Sequence, residues 1–416
     1  MTTKPHASLE QYARRRFVLS GTSVVKDHYP YCRPIEGIGI APPGTAAGGG
    51  VSFAHYDYLG LAHDPRVEAA AVAAIGEVGV GAGASRLVGG ERAQHRALER
   101  DLAALTGVED TLALVSGYGT NVTLVSHLLT KDDLILVDES AHNSIMVGTQ
   151  LSRAATLAFR HNDLSHLDAL LAQHRARHTR VLVVVEGLYS MDGDIPDLPR
   201  LIAIVRAHGA WLMIDEAHSI GVLGRSGRGI TEHFGIAASE VDLIVGTLSK
   251  AFVTCGGFVG GRKGVIDWLR YTLPGFVYSV GLPPPSVAAA RAAIGILQDE
   301  PWRLARLAQV SQHFVAGARQ RGLDVGTAAG IAVVPVLFRD VHLAIAAANA
   351  ALQRGCYVPP IVQIAVPKDL PRLRFFLTAS HTEDQIDAVL DALAPFALGV
   401  TPDGVQPALE GRQVRA

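Results

Sequence analysis

Short apolar runs alternate with amphipathic segments through the middle of the chain, and this alternation limits the fold more than any other feature. Six runs have the length of a β-strand, and most are apolar at consecutive positions, as strands buried on both faces must be. They are LALVSG (112–117), LILVDES (134–140), ATLAFRH (155–161), VLVVVEG (181–187), WLMIDEA (211–217) and DLIVGTLSK (242–250). The segments between them, such as 163–178 and 198–210, have helical periodicity. Strand–helix–strand alternation predicts an α/β fold with a mainly parallel, doubly wound sheet.

Polar side chains lie at or just past the C-terminal ends of these runs. They are Asp138, His161, Glu186, Asp215 and Lys250. Ligands bind at this edge of an open α/β sheet. The sequence therefore predicts a cleft there.

The pattern changes near residue 285. A long Ala-rich helix (roughly 286–322), a helix at 341–354 and apolar runs at 331–338 and 373–379 predict a smaller α+β domain. The predicted division is an N-terminal arm (1–55) with a Pro/Gly-rich loop, a large domain (56–285), a small C-terminal domain (286–400) and a disordered tail (401–416).

The composition argues against several classes of function. A net charge of -2 gives no basic field for nucleic acid or an anionic membrane. None of the 17 His belongs to a His/Cys cluster at metal-ligand spacing, so no metal is expected. No apolar run reaches the roughly 18 residues of a membrane span. Three distant cysteines and no apolar signal core predict a cytoplasmic protein.

Lys250 ends the last of the six apolar runs, in GTLSKAF (246–252). A desolvated amine has a lowered pKa, which suits a Schiff-base nucleophile. Thr247 and Ser249 beside it carry hydroxyls suited to phosphate oxygens. The alternative is a lysine that extends from the strand end into solvent.

Asp215 ends the preceding strand, in WLMIDEAHS (211–219). Burial of its carboxylate is costly unless a cation or a strong donor meets it, and a protonated pyridine nitrogen would do so. His218 could then lie beside the ring. The alternative is that Asp215 and Glu216 cap the following turn. The tetrapeptide DEAH also occurs in helicases, but this sequence lacks the GxxxxGK[ST] loop that those enzymes need.

SGYGTN (116–121) opens a helix directly after a strand, so the free N–H groups of Gly117, Tyr118 and Gly119 would face an anion. A second glycine-rich segment, 79–90, follows a helical segment instead of a strand. That order argues against a dinucleotide-binding fingerprint.

Together these segments resemble the α-oxoamine synthase family of fold-type I enzymes, which depend on pyridoxal 5'-phosphate (PLP). The resemblance runs from about Phe53 to Thr382. The matching motifs are YLGL (58–61), HRALERDLAALTG (95–107), SGYGTN, HNSI (142–145), HND (161–163), EGLYSMDGD (186–194), DEAHS (215–219), GTLSKAF and RFFLTASHT (374–382). Their order along the chain makes the resemblance specific.

The resemblance implies four catalytic residues. Lys250 resembles the lysine that holds PLP as a Schiff base and removes the Cα proton of the substrate. Asp215 resembles the residue that keeps the pyridine nitrogen protonated. His218 resembles the donor to the ring hydroxyl oxygen, and His142 resembles the residue that stacks on the ring. An ordinary surface position is the alternative for His142.

The resemblance also implies contacts with the cofactor and the substrate. The cofactor contacts are Gly117, Tyr118, Ser190, Thr247 and Ser249, the last two as phosphate ligands. Ser279, in FVYSVGLPP (276–284), resembles a contact with the cofactor of a neighbouring subunit, which predicts a homodimer. Arg374 resembles the arginine that holds the carboxylate of the amino acid. A turn hydroxyl at Ser279 and an ion-paired Arg374 are the alternatives.

The implied reaction is a decarboxylative condensation of a small amino acid (Ala, Ser or Gly) with an acyl thioester, which gives an α-amino ketone. The acyl donor stays open between acyl-CoA and an acyl carrier protein. The carrier protein is an option because segment 271–286 resembles synthase modules attached to polyketide assembly lines. Two alternatives remain: a PLP aminotransferase or decarboxylase of the same fold, and a non-catalytic homologue.

Three features bear on substrate choice. Ser85 stands where, by the resemblance, members that use glycine alone tend to have Thr, which favours alanine or serine. Asp57 stands in a segment where the family commonly has Asn. The apolar, proline-bearing segment 358–374 replaces a loop of small residues, and either an acyl chain or a domain contact would suit it.

Overall fold

The computed structural model describes residues 8–19, 28–29, 31, 50–361 and 370–397. The predictions for the Pro/Gly-rich loop before residue 50 and for the 401–416 tail lie outside these residues, as does the middle of the 358–374 segment.

Twelve strands form within the described ranges. They are β1 (Val51–Ser52), β2 (Asp110–Leu114), β3 (Leu134–Asp138), β4 (Ala155–Phe159), β5 (Val181–Glu186), β6 (Trp211–Asp215), β7 (Leu243–Thr247), β8 (Gly257–Gly261), β9 (Val333–Leu337), β10 (Cys356–Tyr357), β11 (Pro360–Ile361) and β12 (Arg372–Phe376).

Fourteen α-helices lie in the same part of the chain. They are α1 (Leu9–Leu19), α2 (Pro65–Val78), α3 (Ala93–Thr106), α4 (Gly117–Leu128), α5 (Asn143–Leu151), α6 (Leu164–His174), α7 (Leu198–Ala207), α8 (Ile230–His233), α9 (Lys263–Thr272), α10 (Pro274–Val277), α11 (Pro284–Asp299), α12 (Trp302–Gln320), α13 (Val341–Gln353) and α14 (Glu383–Leu393). A π-helical turn covers Arg86–Gly90, and 3-10 turns cover Arg175–Arg177, Ala238–Glu240 and Ala394–Phe396. No helix in the described ranges is long and apolar enough to cross a bilayer.

A seven-stranded sheet forms the centre of the molecule, in the order β2-β8-β7-β6-β5-β3-β4. All neighbours are parallel except β8, which runs antiparallel to both β7 and β2. Strands β3, β5 and β7 are buried at every position, because helices cover both faces of the sheet. The predicted α/β fold with a mainly parallel sheet is confirmed.

Strand β8 is the member of this sheet that the sequence does not predict. Its sequence, GFVGG, is mostly glycine, which favours turns and loops over strands. The structure explains the composition at Gly257, where a Cβ would lie 2.5 Å from the Cα of Gly117. Because glycine has no Cβ, the backbone of β8 can approach the start of α4 closely at this position.

The C-terminal part contains a three-stranded antiparallel sheet in the order β11-β12-β9. The prediction of one long helix at 286–322 is wrong, because the chain forms α11 and α12 with a break at Glu300–Pro301. Proline disfavours a helical conformation in the residue before it. Helix α11 packs on α2 and α3, and α12 packs on α14. The domain limits remain a prediction, and this packing favours a boundary near Pro301.

The start of the described core belongs to the C-terminal part. Strand β1 pairs in parallel with β10, and Phe53 lies face to face with His381 at 4.5 Å. The segment predicted as an arm (1–55) therefore contributes a strand to the smaller domain.

An Asp–His–Asp cluster lies at the edge of the sheet beside β4. His161 Nδ1 lies 2.9 Å from Asp138 Oδ1, and Nε2 lies 3.0 Å from Asp194 Oδ2. Burial acts to lower the pKa of His161, but the two carboxylates outweigh it and raise the pKa to about 10. The imidazolium thus links β3 to the loop after β5.

We expect His161→Gln to lower the free energy of unfolding by about 3 kcal/mol near neutral pH, because loss of one member of a buried ion cluster leaves the others uncompensated. The pKa of His161 rises from an ordinary value of about 6.5 to about 10 on folding. The stabilisation is therefore full below about pH 6.5 and is lost as the pH rises through 10.

Urea unfolding at several pH values would measure this, with His342→Gln at an exposed position of α13 as the control. The difference between wild type and His161→Gln should shrink as the pH rises. A difference that stays constant with pH would contradict the assigned charge.

Candidate active site

A cavity of about 370 Å³ opens at the C-terminal edge of the parallel strands. The predicted site residues that line it are Gly117, Tyr118, His142, Ser190, Asp215, His218, Thr247, Ser249, Lys250 and Arg374. Strand ends β5, β6 and β7 and the start of α4 supply most of them, and Arg374 comes from β12 in the smaller domain. The cavity therefore combines residues far apart in the sequence.

Ser85 and Ser279 do not line this cavity. The Ser85 hydroxyl donates to the carbonyl oxygen of Val277 at 2.7 Å, and its predicted role in substrate binding remains a prediction. Ser279 lies between the exposed side chains of Tyr278 and Val280. Its predicted contact with a neighbouring subunit remains a prediction.

Asp215 lies buried at the end of β6, where its two oxygens each accept a hydrogen bond. Asn121 Nδ2 donates to Oδ2 at 2.6 Å, and the backbone N–H of Ala217 donates to Oδ1 at 2.9 Å. These donors orient the carboxylate towards the cavity. The first of them is a side chain to which the sequence analysis gave no role.

His142 caps α5 from the cavity wall. Ser144 donates its backbone N–H to His142 Nδ1 at 3.3 Å, and its hydroxyl lies 2.7 Å from the same nitrogen. Asn121 Nδ2 also donates to Ser144 Oγ at 3.0 Å. Nδ1 is therefore the acceptor nitrogen, which leaves the proton of the neutral ring on Nε2. Burial lowers the pKa of His142, although Asp215 opposes this.

His218 lies on the same wall of the cavity. Its Nδ1 lies 2.6 Å from the hydroxyl of Tyr58, which is fully buried. Burial, and then the charge of Lys250, lowers the pKa of His218. The hydrogen bond to Tyr58 orients the ring, and Nε2 has no hydrogen-bond partner among the described residues.

Lys250 lies three residues past β7 with its Nζ 5.8 Å from the centre of the Tyr56 ring. Burial lowers the pKa of this amine, and Asp215 and Glu186 act in the opposite direction. Within the described residues no carboxylate lies close enough to form an ion pair with it. Lys250 is therefore a desolvated amine that is available for chemistry.

The start of α4 and the end of β7 form a cradle for an anion. The first N–H groups of a helix have no partner within it, and those of Gly117 and Tyr118 lie beside the hydroxyls of Thr247 and Ser249, which are 2.8 Å apart. A Cβ on Gly117 would lie 2.6 Å from Thr247 Oγ1. Only glycine permits this close approach.

We expect Gly117→Ala to weaken PLP binding by at least about 10-fold, because the added methyl would push α4 away from Thr247 and open the cradle. Gly119→Ala is the matched control, since a Cβ there would lie 3.4 Å from Ser116 in ordinary contact. Fluorescence titration with PLP would measure both dissociation constants. Equal constants for the two variants would contradict the assignment of the cradle.

Arg374 reaches the cavity from β12. Its Nη1 donates to the carbonyl oxygen of Ser190 at 3.0 Å and to the sulfur of Met191 at 3.2 Å. The guanidinium lies 4.7 Å from the centre of the Phe376 ring. These partners are neutral, so Arg374 can offer its charge to an anionic ligand.

The carboxyl groups of Glu186 and Asp57 have different surroundings. Glu186 is buried and opposite Asp215 in register. Burial, and then the nearby Asp215, raises the pKa of Glu186 well above the ordinary value. Asp57 accepts the N–H groups of Leu61 and Ala62 at 2.7 and 3.0 Å, so its carboxylate caps the turn after Tyr58.

Sequence reasoning gave no role to Asn121, Tyr58, Ser144 and Glu186, although each lies in or beside a quoted motif. A helical offset of four residues places Asn121 on the same face of α4 as Gly117, and that spacing is the signal that would have found it. Tyr58 and Ser144 act through tertiary contacts that the sequence does not specify.

The chain matches the profile of the aminotransferase class I and II family over residues 49–393. It is 42% identical over 344 residues to 8-amino-7-oxononanoate synthase of Methylococcus capsulatus. The aligned region covers 83% of this chain and 88% of that protein. A serine palmitoyltransferase from S. paucimobilis with PLP and myriocin bound superposes with a TM-score of 0.88 at 29% identity, over 93% of this chain and 98% of the other. An 8-amino-7-oxononanoate synthase from Francisella tularensis superposes with a TM-score of 0.73 at 26% sequence identity. The match covers 83% of this chain and 97% of the other.

The chain is thus a fold-type I enzyme that depends on PLP, and it belongs to the aminotransferase class I and II family. Within that family it is similar to the α-oxoamine synthases, and the predicted resemblance is confirmed. The cavity fits the cofactor. Asp215 can hold the proton of the ring nitrogen, Lys250 supplies the amine, and the cradle at Gly117 and Thr247 suits the phosphate.

Proposed function

We propose that this protein condenses a small amino acid with an acyl thioester, with loss of CO2 and release of the thiol, to give an α-amino ketone. One observation carries the proposal: Arg374, the amine of Lys250 and the buried Asp215 surround one cavity. The names of the relatives and structural neighbours, 8-amino-7-oxononanoate synthase and serine palmitoyltransferase, support this assignment over an aminotransferase.

PLP, when bound, supplies an electron sink for the pair of electrons left at Cα. The buried amine of Lys250, with its lowered pKa, accepts the Cα proton and returns a proton after CO2 leaves. Asp215 holds the proton on the ring nitrogen through its negative charge. Arg374 orients the carboxylate of the amino acid, because no carboxylate among the described residues forms an ion pair with it.

The two histidines act on the faces and edges of the bound ring. His142 covers the cavity with its Nε2–H directed away from Ser144, and His218, held by Tyr58, offers Nε2 to an oxygen atom. Ser190 is also assigned to the cofactor in this proposal. The side chains at the cavity wall also limit the access of water to the Cα atom.

The test supplies the PLP-loaded protein with alanine, serine or glycine labelled at the carboxyl carbon. CO2 release that requires an acyl thioester, with free thiol, supports the proposal and names the preferred amino acid. Release without a thioester indicates a decarboxylase, and formation of a keto acid indicates an aminotransferase. The thioester is supplied in separate experiments as acyl-CoA and as acyl carrier protein. Comparison of the two rates of CO2 release identifies the class of donor.

We also propose a cytoplasmic homodimer. Apolar side chains near Ser85 and Ser279 are exposed, with Val88 at 81% and Tyr278 at 87%, and a second copy of the chain would cover them. The free thiols of Cys255 and Cys356 fit a reducing compartment. Light scattering measures the mass, and a fully active monomer would contradict the homodimer.

A further inference from the structure

Two arginines on β12 contact the same loop. Arg372 and Arg374 are two residues apart, so their side chains leave the same side of the strand. Both reach residues 187–194, the first part of the connection between β5 and α7, which we call the β5–α7 loop. Arg372 Nη1 donates to Asp192 Oδ1 at 2.6 Å and to the carbonyl oxygen of Met191 at 3.0 Å.

The two arginines have partners of different charge. Arg372 is 3% exposed and pairs with the carboxylate of Asp192. Arg374 meets a carbonyl oxygen and a thioether, which is a weak acceptor. The charge of Arg372 is therefore neutralised inside the protein, while that of Arg374 is left for a ligand.

The opposite end of the β5–α7 loop is also fixed. Asp194 accepts from Asn162 Nδ2 at 3.0 Å, in addition to its contact with His161. Gly193 has a φ of 69°, and a Cβ there would overlap the carbonyl oxygen of Val333. In the part of the chain that the structure describes, only the end of the loop that contacts β12 is bound by arginines.

We propose that the Arg372–Asp192 ion pair positions Arg374: it holds residues 190–192 against β12, so that the Ser190 carbonyl and the Met191 sulfur fix the direction of the Arg374 guanidinium. Arg372 is thus a positioning residue that does not touch the substrate. The inference rests on the proposed function, because the ligand of Arg374 is taken to be the carboxylate of an amino acid.

The experiment titrates PLP-loaded protein with alanine, serine and glycine and follows the absorbance of the cofactor, with no acyl donor present. Asp192→Asn and Arg372→Gln should each weaken amino acid binding by about 10-fold, the usual size of a charge-assisted hydrogen bond. The double variant should bind no more weakly than either single variant. The PLP dissociation constant should stay unchanged.

Asp391→Asn is the matched control, since Asp391 pairs with Arg321 at 2.8 Å on the exposed side of the same domain. It should bind amino acids and PLP like the wild type. Arg372→Lys, which keeps the charge, should recover part of the loss. Wild-type amino acid affinity in Asp192→Asn would overturn the proposal, as would an equal loss of PLP affinity.

Hydrogen exchange separates this inference from the proposed function. If the wild type binds none of the three amino acids, the proposed function fails, but the loop can still be measured. Faster exchange of amides in the β5–α7 loop in Asp192→Asn, and not in Asp391→Asn, would support the positioning role. Unchanged exchange would overturn it.

Discussion

Replacement of Lys250 by alanine is expected to abolish the borohydride-reducible attachment of PLP and to lower the rate of product formation by at least about 10³-fold. The reason is that Lys250 supplies the desolvated amine of the cavity, and burial lowers its pKa so that it can act as nucleophile and base. Reduction with borohydride, digestion and mass spectrometry would locate the cofactor on a peptide, and the labelled CO2 assay would give the rate.

Lys263→Ala is the control for this experiment. Lys263 is an exposed residue of α9 that pairs with Asp267 at 2.6 Å, and it does not line the cavity. It should keep the covalent cofactor and the wild-type rate. If Lys250→Ala still forms a reducible adduct at another lysine, the assignment of Lys250 is wrong.

Asp215→Asn is expected to lower the rate by about 10²-fold or more and to weaken PLP binding. The amide has the same shape as the carboxylate, so Asn121 and the N–H of Ala217 keep a neighbour of the same size. The variant loses the negative charge that holds a proton on the ring nitrogen, and with it one of the two accepted hydrogen bonds, since the amide nitrogen cannot accept. The turnover number and the PLP dissociation constant, measured at saturating amino acid, would report both effects.

Asp168→Asn, at an exposed residue of α6 that pairs with His208, is the control. It should change neither quantity. A rate for Asp215→Asn within a factor of two or so of the wild type would show that the charge is not needed, and another residue would then have to bind the ring nitrogen.

Much of the central sheet could be predicted because consecutive apolar residues leave few alternatives to a buried strand. Strands β3, β5 and β6 end within a few residues of the predicted runs. Strand β8 could not be predicted, since its glycines serve the passage under α4 and carry no strand pattern. The helix break at Pro301 could have been predicted, because proline disfavours a helical conformation in the residue before it, here Glu300.

The site followed from the sequence where a residue stands at a strand end. Asp215 and Lys250 are of this kind, because strand order alone brings them to one edge. Asn121, Tyr58 and Arg372 are different: their effects depend on a partner brought close by folding. Ser85 shows the same limit, since its hydroxyl meets Val277, a contact between segments 192 residues apart.

The pairing of β1 with β10 affects the order in which tertiary contacts can form while the chain is being synthesised. His381 contacts the backbone of Ser52 across 329 residues, so this contact forms only after residue 381 has left the ribosome. The cofactor contacts from Gly117 to Lys250 emerge much earlier. The side chains from Gly117 to Lys250 that line the cavity are thus synthesised before Arg374, which completes the cavity from β12.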